Sequence, residues 1–229
     1  IYQIFLIDFF LKKNVDILFS LSGDFIGSFK PFVGMSQNML LYEKKFWNEI
    51  KDFKEKTKLL INYKRQQICF KKSSGIIFIS NYAKNYISSV LSINEKQISV
   101  IHHGLSNRFV FRNNLSKSLN NYSFKNPFKF IYVSTVHVYK NQWNVIEAIA
   151  NLRDIGYPVS LTLIGPIIYN PSGKRMISIM KEKDPRNEFI NYIKEVQYDE
   201  MQNYYSIHDG IIFASSCENM PNILIESMG

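Results

Sequence analysis

Two carboxylates stand near the end of this chain, Glu218 and Glu226, with seven residues between them. They lie in the stretch GIIFASSCENMPNILIESMG, residues 210–229. A run with the character of a buried strand, 210–214, stops at the small residues Ser215, Ser216 and Cys217. Pro221 stands where a helix would begin, and residues 222–226 continue it. Proline is pre-set for the first helical turn and loses no needed hydrogen bond there. The free amides of such a turn favour an anion. The crevice they face lies at the carboxyl end of a strand, where open α/β sheets bind ligands. A second element of the same kind spans residues 132–142 (YVSTVHVYKNQ). A strand ends near Thr135, and a loop carrying His137 and Lys140 leads into a helix. A lysine in that place reaches a bound diphosphate as a point charge. Gly165 follows a further strand and allows a tight turn and close backbone approach. Each of these has a plain alternative: surface acids at Glu218 and Glu226, a solvated loop lysine at Lys140, pure structure at Gly165.

The elements that must hold these residues alternate. Strand-like runs recur at 16–20, 32–36, 76–80, 98–102, 128–135, 159–165, 189–193 and 210–214. Most are continuous apolar runs, as in strands buried on both faces of a parallel sheet. Helical segments at 81–91, 144–155, 173–183, 199–206 and 221–228 separate them. Val145, Ile146, Ala148, Ile149 and Leu152 make a core-facing stripe. This alternation predicts an α/β, doubly wound architecture. The polar, Asn- and Ser-rich stretch 111–127 reads as an interdomain linker. It divides residues 1–110, an N-terminal domain lacking its first strands, from 128–229, a second domain lacking its last elements. Residues 39–72 predict a helix with a break, rich in lysine with interleaved aromatics. Such a helix suits an anionic membrane surface or packs on a sheet with its lysines in water.

The net charge is +9, in keeping with anionic partners such as sugar nucleotides, lipid head groups or nucleic acid, although a general richness in lysine raises charge without any binding role. Cys69 and Cys217 are the only cysteines, too few for a disulfide framework or a zinc site. They fit a reducing, cytoplasmic setting. The apolar run 1–11 is interrupted by Asp8 and followed by Lys12 and Lys13, too short to span a bilayer and unlike a signal peptide. Phosphate-loop, nucleophile-elbow, zinc-protease and dinucleotide fingerprints are all absent from the sequence. No nucleic-acid partner is expected.

The order SSCENMPNILIESM resembles the Glu-x7-Glu signature of retaining glycosyltransferases of the GT-B fold, in particular glycosyltransferase family 4. The resemblance is good over 128–229 and weaker over 16–109. It implies two facing Rossmann-like domains, both incomplete here, and transfer of a hexose from a nucleoside-diphosphate sugar to a glycan or lipid-linked acceptor in cell-envelope or polysaccharide biosynthesis. By resemblance, Glu218 meets the transferred sugar, assisted by the backbone of Asn219, Met220, Pro221 and Asn222. Glu226 accepts hydrogen bonds from the ribose, and Lys140 steadies the diphosphate. The family pattern usually places an arginine where Thr135 stands, and His137 is expected to contribute instead. Gly165 packs near the nucleotide, and Val196 and Gln197 lie in the segment that contacts the base. Asn38 and His103 fall on the acceptor side, although the His102–His103 pair, whose side chains point opposite ways, also reads as structural. No metal cofactor is expected. The protein is placed in the cytoplasm or at the inner membrane face. Two other readings stay open: a non-catalytic GT-B-like module that binds a nucleotide or a partner, and a flavodoxin-like or sugar-binding regulatory domain, for which the sequence shows no phosphate or ligand loop.

Overall fold

The computed structural model describes residues 2–93, 97–109 and 118–228. Part of the expected linker, 111–117, lies outside the described residues. The chain divides into two units: Ile1–Gly104 with Cys217–Met220, and Leu105–Ser216 with Pro221–Gly229.

The first unit opens with helix α1 (Tyr2–Asn14), then strands β1 (Leu18–Ser20) and β2 (Phe32–Ser36). Helix α2 (Phe53–Lys72), β3 (Gly75–Phe78), α3 (Asn81–Leu91) and β4 (Ile98–Val100) follow. The four strands form one parallel sheet in the order β1-β2-β3-β4. Phe32, Phe70, Phe78, Ile76 and Ile87 are fully buried. The break expected within 39–72 takes the form of two short 3-10 turns, Met39–Leu41 and Lys44–Asn48, before α2 begins. Asp52 sets that start: its carboxylate accepts the amide hydrogens of Lys54 (2.7 Å) and Glu55 (3.2 Å). Ser80 caps α3 in the same way through the Ala83 amide (3.1 Å). Helix α1, an apolar run in the sequence, is anchored by Asp8. Its carboxylate accepts hydrogen bonds from the Ser28 amide (2.7 Å), the Ser28 hydroxyl (2.9 Å) and the Phe29 amide (3.1 Å).

The second unit contains β5 (Phe128–Val133), α4 (Gln142–Asp154), β6 (Val159–Ile164), α5 (Asn170–Lys183) and β7 (Ile190–Ile193). These lead to α6 (Met201–Ile207), β8 (Gly210–Ile211) and α7 (Asn222–Met228). Its sheet is again parallel, ordered β7-β6-β5-β8. One core gathers Tyr132, Val145, Ile146, Ile149, Leu161, Leu163 and Met176, where α4 and α5 cover the sheet. A second holds Phe109, Ile131, Ile164 and Met201, where α6 packs. The stripe on α4 runs through Val145, Ile146 and Ile149 as expected, but Ala148 faces solvent and Ala150 is buried in its place. The expected strand 210–214 is hydrogen-bonded as a strand over two residues only. It is a sheet edge, and its ladder with β5 ends once the chain turns into the loop.

Asp184, 3% exposed, holds the turn from α5 into β7. Its carboxylate accepts from the amides of Glu188 (2.8 Å), Phe189 (2.9 Å) and Ile190 (2.7 Å).

Candidate active site

In the second unit the loops at the carboxyl ends of β5, β6 and β8 meet. The carbonyl of Tyr139, between His137 and Lys140, accepts the Ser216 amide (2.9 Å) and the hydroxyls of Ser216 (3.2 Å) and Ser215 (3.4 Å). Asn141 adopts a left-handed conformation (φ 56°), which asparagine tolerates better than most residues. Its side chain does not cap α4. It donates to the Ala214 carbonyl (2.8 Å) and the Ser216 hydroxyl (3.3 Å). The loop carrying Lys140 is therefore laced to the loop that leads toward Glu218.

Gly165 lies where β6 ends against the backbone of Ser134 and Thr135. Its φ is 139°, and a Cβ there would overlap the Ser134 carbonyl. The close approach here is to the chain's own backbone at Ser134 and Thr135. It lets the Ser134 amide reach the Ile164 carbonyl (2.8 Å) and the Val136 amide reach that of Pro166 (2.9 Å). Thr135 is half-buried, and its carbonyl accepts from the Gln142 side chain (2.9 Å). The same amide group donates to the Ser134 hydroxyl (2.9 Å).

His137 and Lys140 are each 8% exposed. The imidazole lies against Tyr139 and Tyr169, with ring centroids 4.9 and 5.3 Å away. Its Nδ1 is buried and has no hydrogen-bond partner among the described residues. Burial first, and the Lys140 charge second, push its pKa down to about 4, so the ring is neutral at pH 7. The Lys140 ammonium lies 5.1 Å from the Tyr139 ring centroid, and the Lys140 carbonyl accepts from the buried Tyr132 hydroxyl (2.6 Å).

Glu226 projects from α7, and the Tyr198 hydroxyl donates to its Oε1 (3.1 Å). Burial raises the Glu226 pKa above the ordinary carboxylate range, while the Tyr198 hydrogen bond works the other way. Tyr198 itself is held by the Arg108 guanidinium, 5.6 Å from its ring centroid, and Arg108 pairs with Asp199. Val196 packs into the core around Phe109 and Met201, and Gln197 is exposed, its carbonyl accepting the Glu200 amide (2.9 Å). Pro221 directly precedes α7 and accepts the Leu224 amide (3.1 Å); Asn222 is exposed.

Glu218, Asn219 and Met220 belong to the first unit. Glu218 is half-buried. The Asn219 side chain accepts from the Ser80 hydroxyl (2.6 Å) and donates to the Ser36 carbonyl (3.0 Å). The Met220 sulfur receives the His103 amide (3.4 Å). Asn38, two residues beyond Ser36, spends its side chain capping the 3-10 turn at Leu40 (2.9 Å). The sequence assigns no role to Asn141 or Tyr198, and it marks Ser80 only as the cap of α3. The asparagine ahead of a helix was the one signal available, since that residue type marks left-handed and turn positions.

A cavity of about 580 Å³ opens elsewhere in the second unit, near the amino-terminal ends of β5 and β6, lined in part by Lys129, Ser160, Thr162 and His208. None of the candidate residues lines it. Among the described residues no helix is long and apolar enough to cross a membrane.

Residues 113–229, the second half of the chain, match a family described as glycosyl transferases group 1. No curated protein matches the sequence. Among solved structures, HepE of Anabaena in complex with UDP and glucose superposes with a TM-score of 0.71 at 15% identity, over 98% of this chain and 59% of that one. Sucrose-phosphate synthase of Thermosynechococcus elongatus gives 0.70 at 14% identity, over 99% and 57%. WaaG, a glycosyltransferase involved in lipopolysaccharide biosynthesis, gives 0.67 at 12% identity, over 97% and 60%. The fold is of the GT-B type shared by these proteins, and the chain spans about three-fifths of their length.

Proposed function

The chain belongs to the glycosyl transferases group 1 family, and we propose that the protein transfers a hexose from a nucleoside-diphosphate sugar. The observation that carries this reading is the lacing of the Lys140 loop to the Ser215–Ser216 loop at the carboxyl ends of β5 and β8, within the half that matches the family. HepE, bound to UDP and glucose, supports a uridine nucleotide as donor. On this reading Lys140 faces the diphosphate, Glu226 the ribose and Glu218 the transferred sugar. Val196 and Gln197 lie toward the base. Charge that develops on the departing diphosphate is met by Lys140 and by fixed backbone donors, the electrostatic mode of catalysis. Neutral His137 offers an N–H to the same charge. No metal ion is assigned a part. The reaction is read as retaining, with attack from the leaving-group face, so the two glutamates are not the acid and nucleophile of a glycosidase pair. The acceptor is a glycan or a lipid-linked sugar of envelope or polysaccharide synthesis, met in the cytoplasm or at an anionic membrane face.

Calorimetry of the full-length protein with UDP and other nucleoside diphosphates tests this. Glu226→Ala is expected to weaken binding about tenfold, the loss of hydrogen bonds to a charged group; unchanged affinity rejects the assignment. Thr135, in place of the usual arginine, favours a second reading: a module that binds the nucleotide without transferring sugar. Mass spectrometry of products from a donor panel separates the two, since that module yields none.

A further inference from the structure

Helix α2 packs one face into the first unit and leaves another apolar stripe in water. Leu59, Tyr63, Gln66 and Phe70 make the buried face. Phe53, Leu60, Ile61 and Ile68 recur at i, i+7, i+8 and i+15, which places them on one side of a helix. They are 82%, 48%, 52% and 42% exposed. A stripe at that spacing ordinarily meets a core, and among the described residues nothing covers this one. The helix carries six lysines and one arginine against a single glutamate. Lys54, Lys58, Lys64 and Lys71 are exposed, and no ion pair holds them among the described residues. Phe53, Lys54, Thr57, Lys58 and Ile61 frame a shallow notch of about 340 Å³.

We propose that this outer face of α2 is a docking surface for an anionic lipid bilayer. Unpaired ammonium groups alone would suit any polyanion. Here they alternate with a large exposed phenylalanine, a leucine and two isoleucines, which gain nothing from a nucleic-acid backbone but gain from the boundary between head groups and acyl chains. The lysines meet the negative surface potential, and the apolar side chains enter the interface beneath it. The inference gives a location to the membrane contact proposed above. It does not depend on the donor chemistry of the second unit.

Vesicle flotation of the full-length protein tests it, comparing phosphatidylcholine vesicles with vesicles containing phosphatidylglycerol. Binding is expected only to the anionic vesicles, weakening as salt rises. Lys54→Glu with Lys58→Glu, and separately Phe53→Ser with Ile61→Ser, should each reduce partitioning about tenfold. Lys174→Glu with Lys181→Glu, on exposed positions of α5, should leave it unchanged. Cooperative thermal unfolding of the same preparations, followed by circular dichroism, reports folding, and nucleoside diphosphate affinity judges the donor reading separately. If the α2 variants fail to fold, hydrogen exchange of the unaltered protein decides: amides of residues 53–72 should be slowed by anionic vesicles alone. No binding, equal binding to neutral vesicles, unaltered exchange in α2, or an acidic protein partner that covers the face in solution and blocks vesicle binding each overturns the proposal.

Discussion

Glu226 is pulled in two directions. Burial favours its protonated form, and the hydrogen donated by Tyr198 favours the carboxylate. In its proposed role as ribose acceptor it serves only when ionised. Nucleoside diphosphate affinity should therefore fall with decreasing pH from a point above ~4.3, the ordinary glutamate value. Tyr198→Phe removes the opposing hydrogen bond and should move that fall to higher pH, while Glu226→Gln should abolish the part of the pH dependence that this group contributes. Titration calorimetry across pH reads all three. His137 titrates in the opposite environment. Its folded pKa is depressed to about 4 by burial and by Lys140, against ~6.5 in an unfolded chain. The unfolded chain thus binds a proton first as pH falls, and stability drops between about pH 7 and 4. His137→Phe should flatten that drop in melting temperature measured against pH.

Among the elements, the join between β5 and β6 has the least room. At Gly165 any side chain meets the Ser134 carbonyl and forces a backbone angle that L-residues avoid. Gly165→Ala should cost about 3 kcal/mol in urea unfolding. It should also displace the loop bearing His137 and Lys140. The elements themselves were legible from composition: β2 and α3 run over the residues their sequences mark, because a continuous apolar run and a serine-capped stripe have no other stable use. Boundaries were less legible. Ala148 and Ala150 are both small enough for either side of α4, so periodicity alone could not choose between them. Helix α1 was hidden because its burial runs against its hydropathy. Ile7, Phe9 and Phe10 are about half exposed or more, while the acid Asp8 points inward. For the candidate site, Glu218, Glu226 and Lys140 were nominated by a resemblance of order and type. Asn141 and Tyr198 were not, since their work is hydrogen bonding set by the fold; Ser80 was readable as the cap of α3 but not as the donor to Asn219.

For the molecule as a whole, Asp8 couples the first helix to the loop beyond β1. Burial opposes its charge, but the Ser28 and Phe29 hydrogen bonds, with help from Lys12, win and hold the pKa low. The stabilisation is present above the unfolded value of ~3.9 and is lost as pH falls through the lower folded value. Asp8→Asn should lower the melting temperature at pH 7, and the gap from the unaltered protein should close in strong acid.

Asn219 has a consequence for the order of events during synthesis. Its partners Ser36 and Ser80 precede it by 183 and 139 residues. At ordinary ribosomal speeds of about 5–20 residues per second, the Ser36 carbonyl is made roughly 10–40 s before the amide that will satisfy it. The first unit's sheet thus leaves the ribosome with a vacancy that only a much later stretch of the chain fills, and the loop bearing Glu218 settles after the strands it joins.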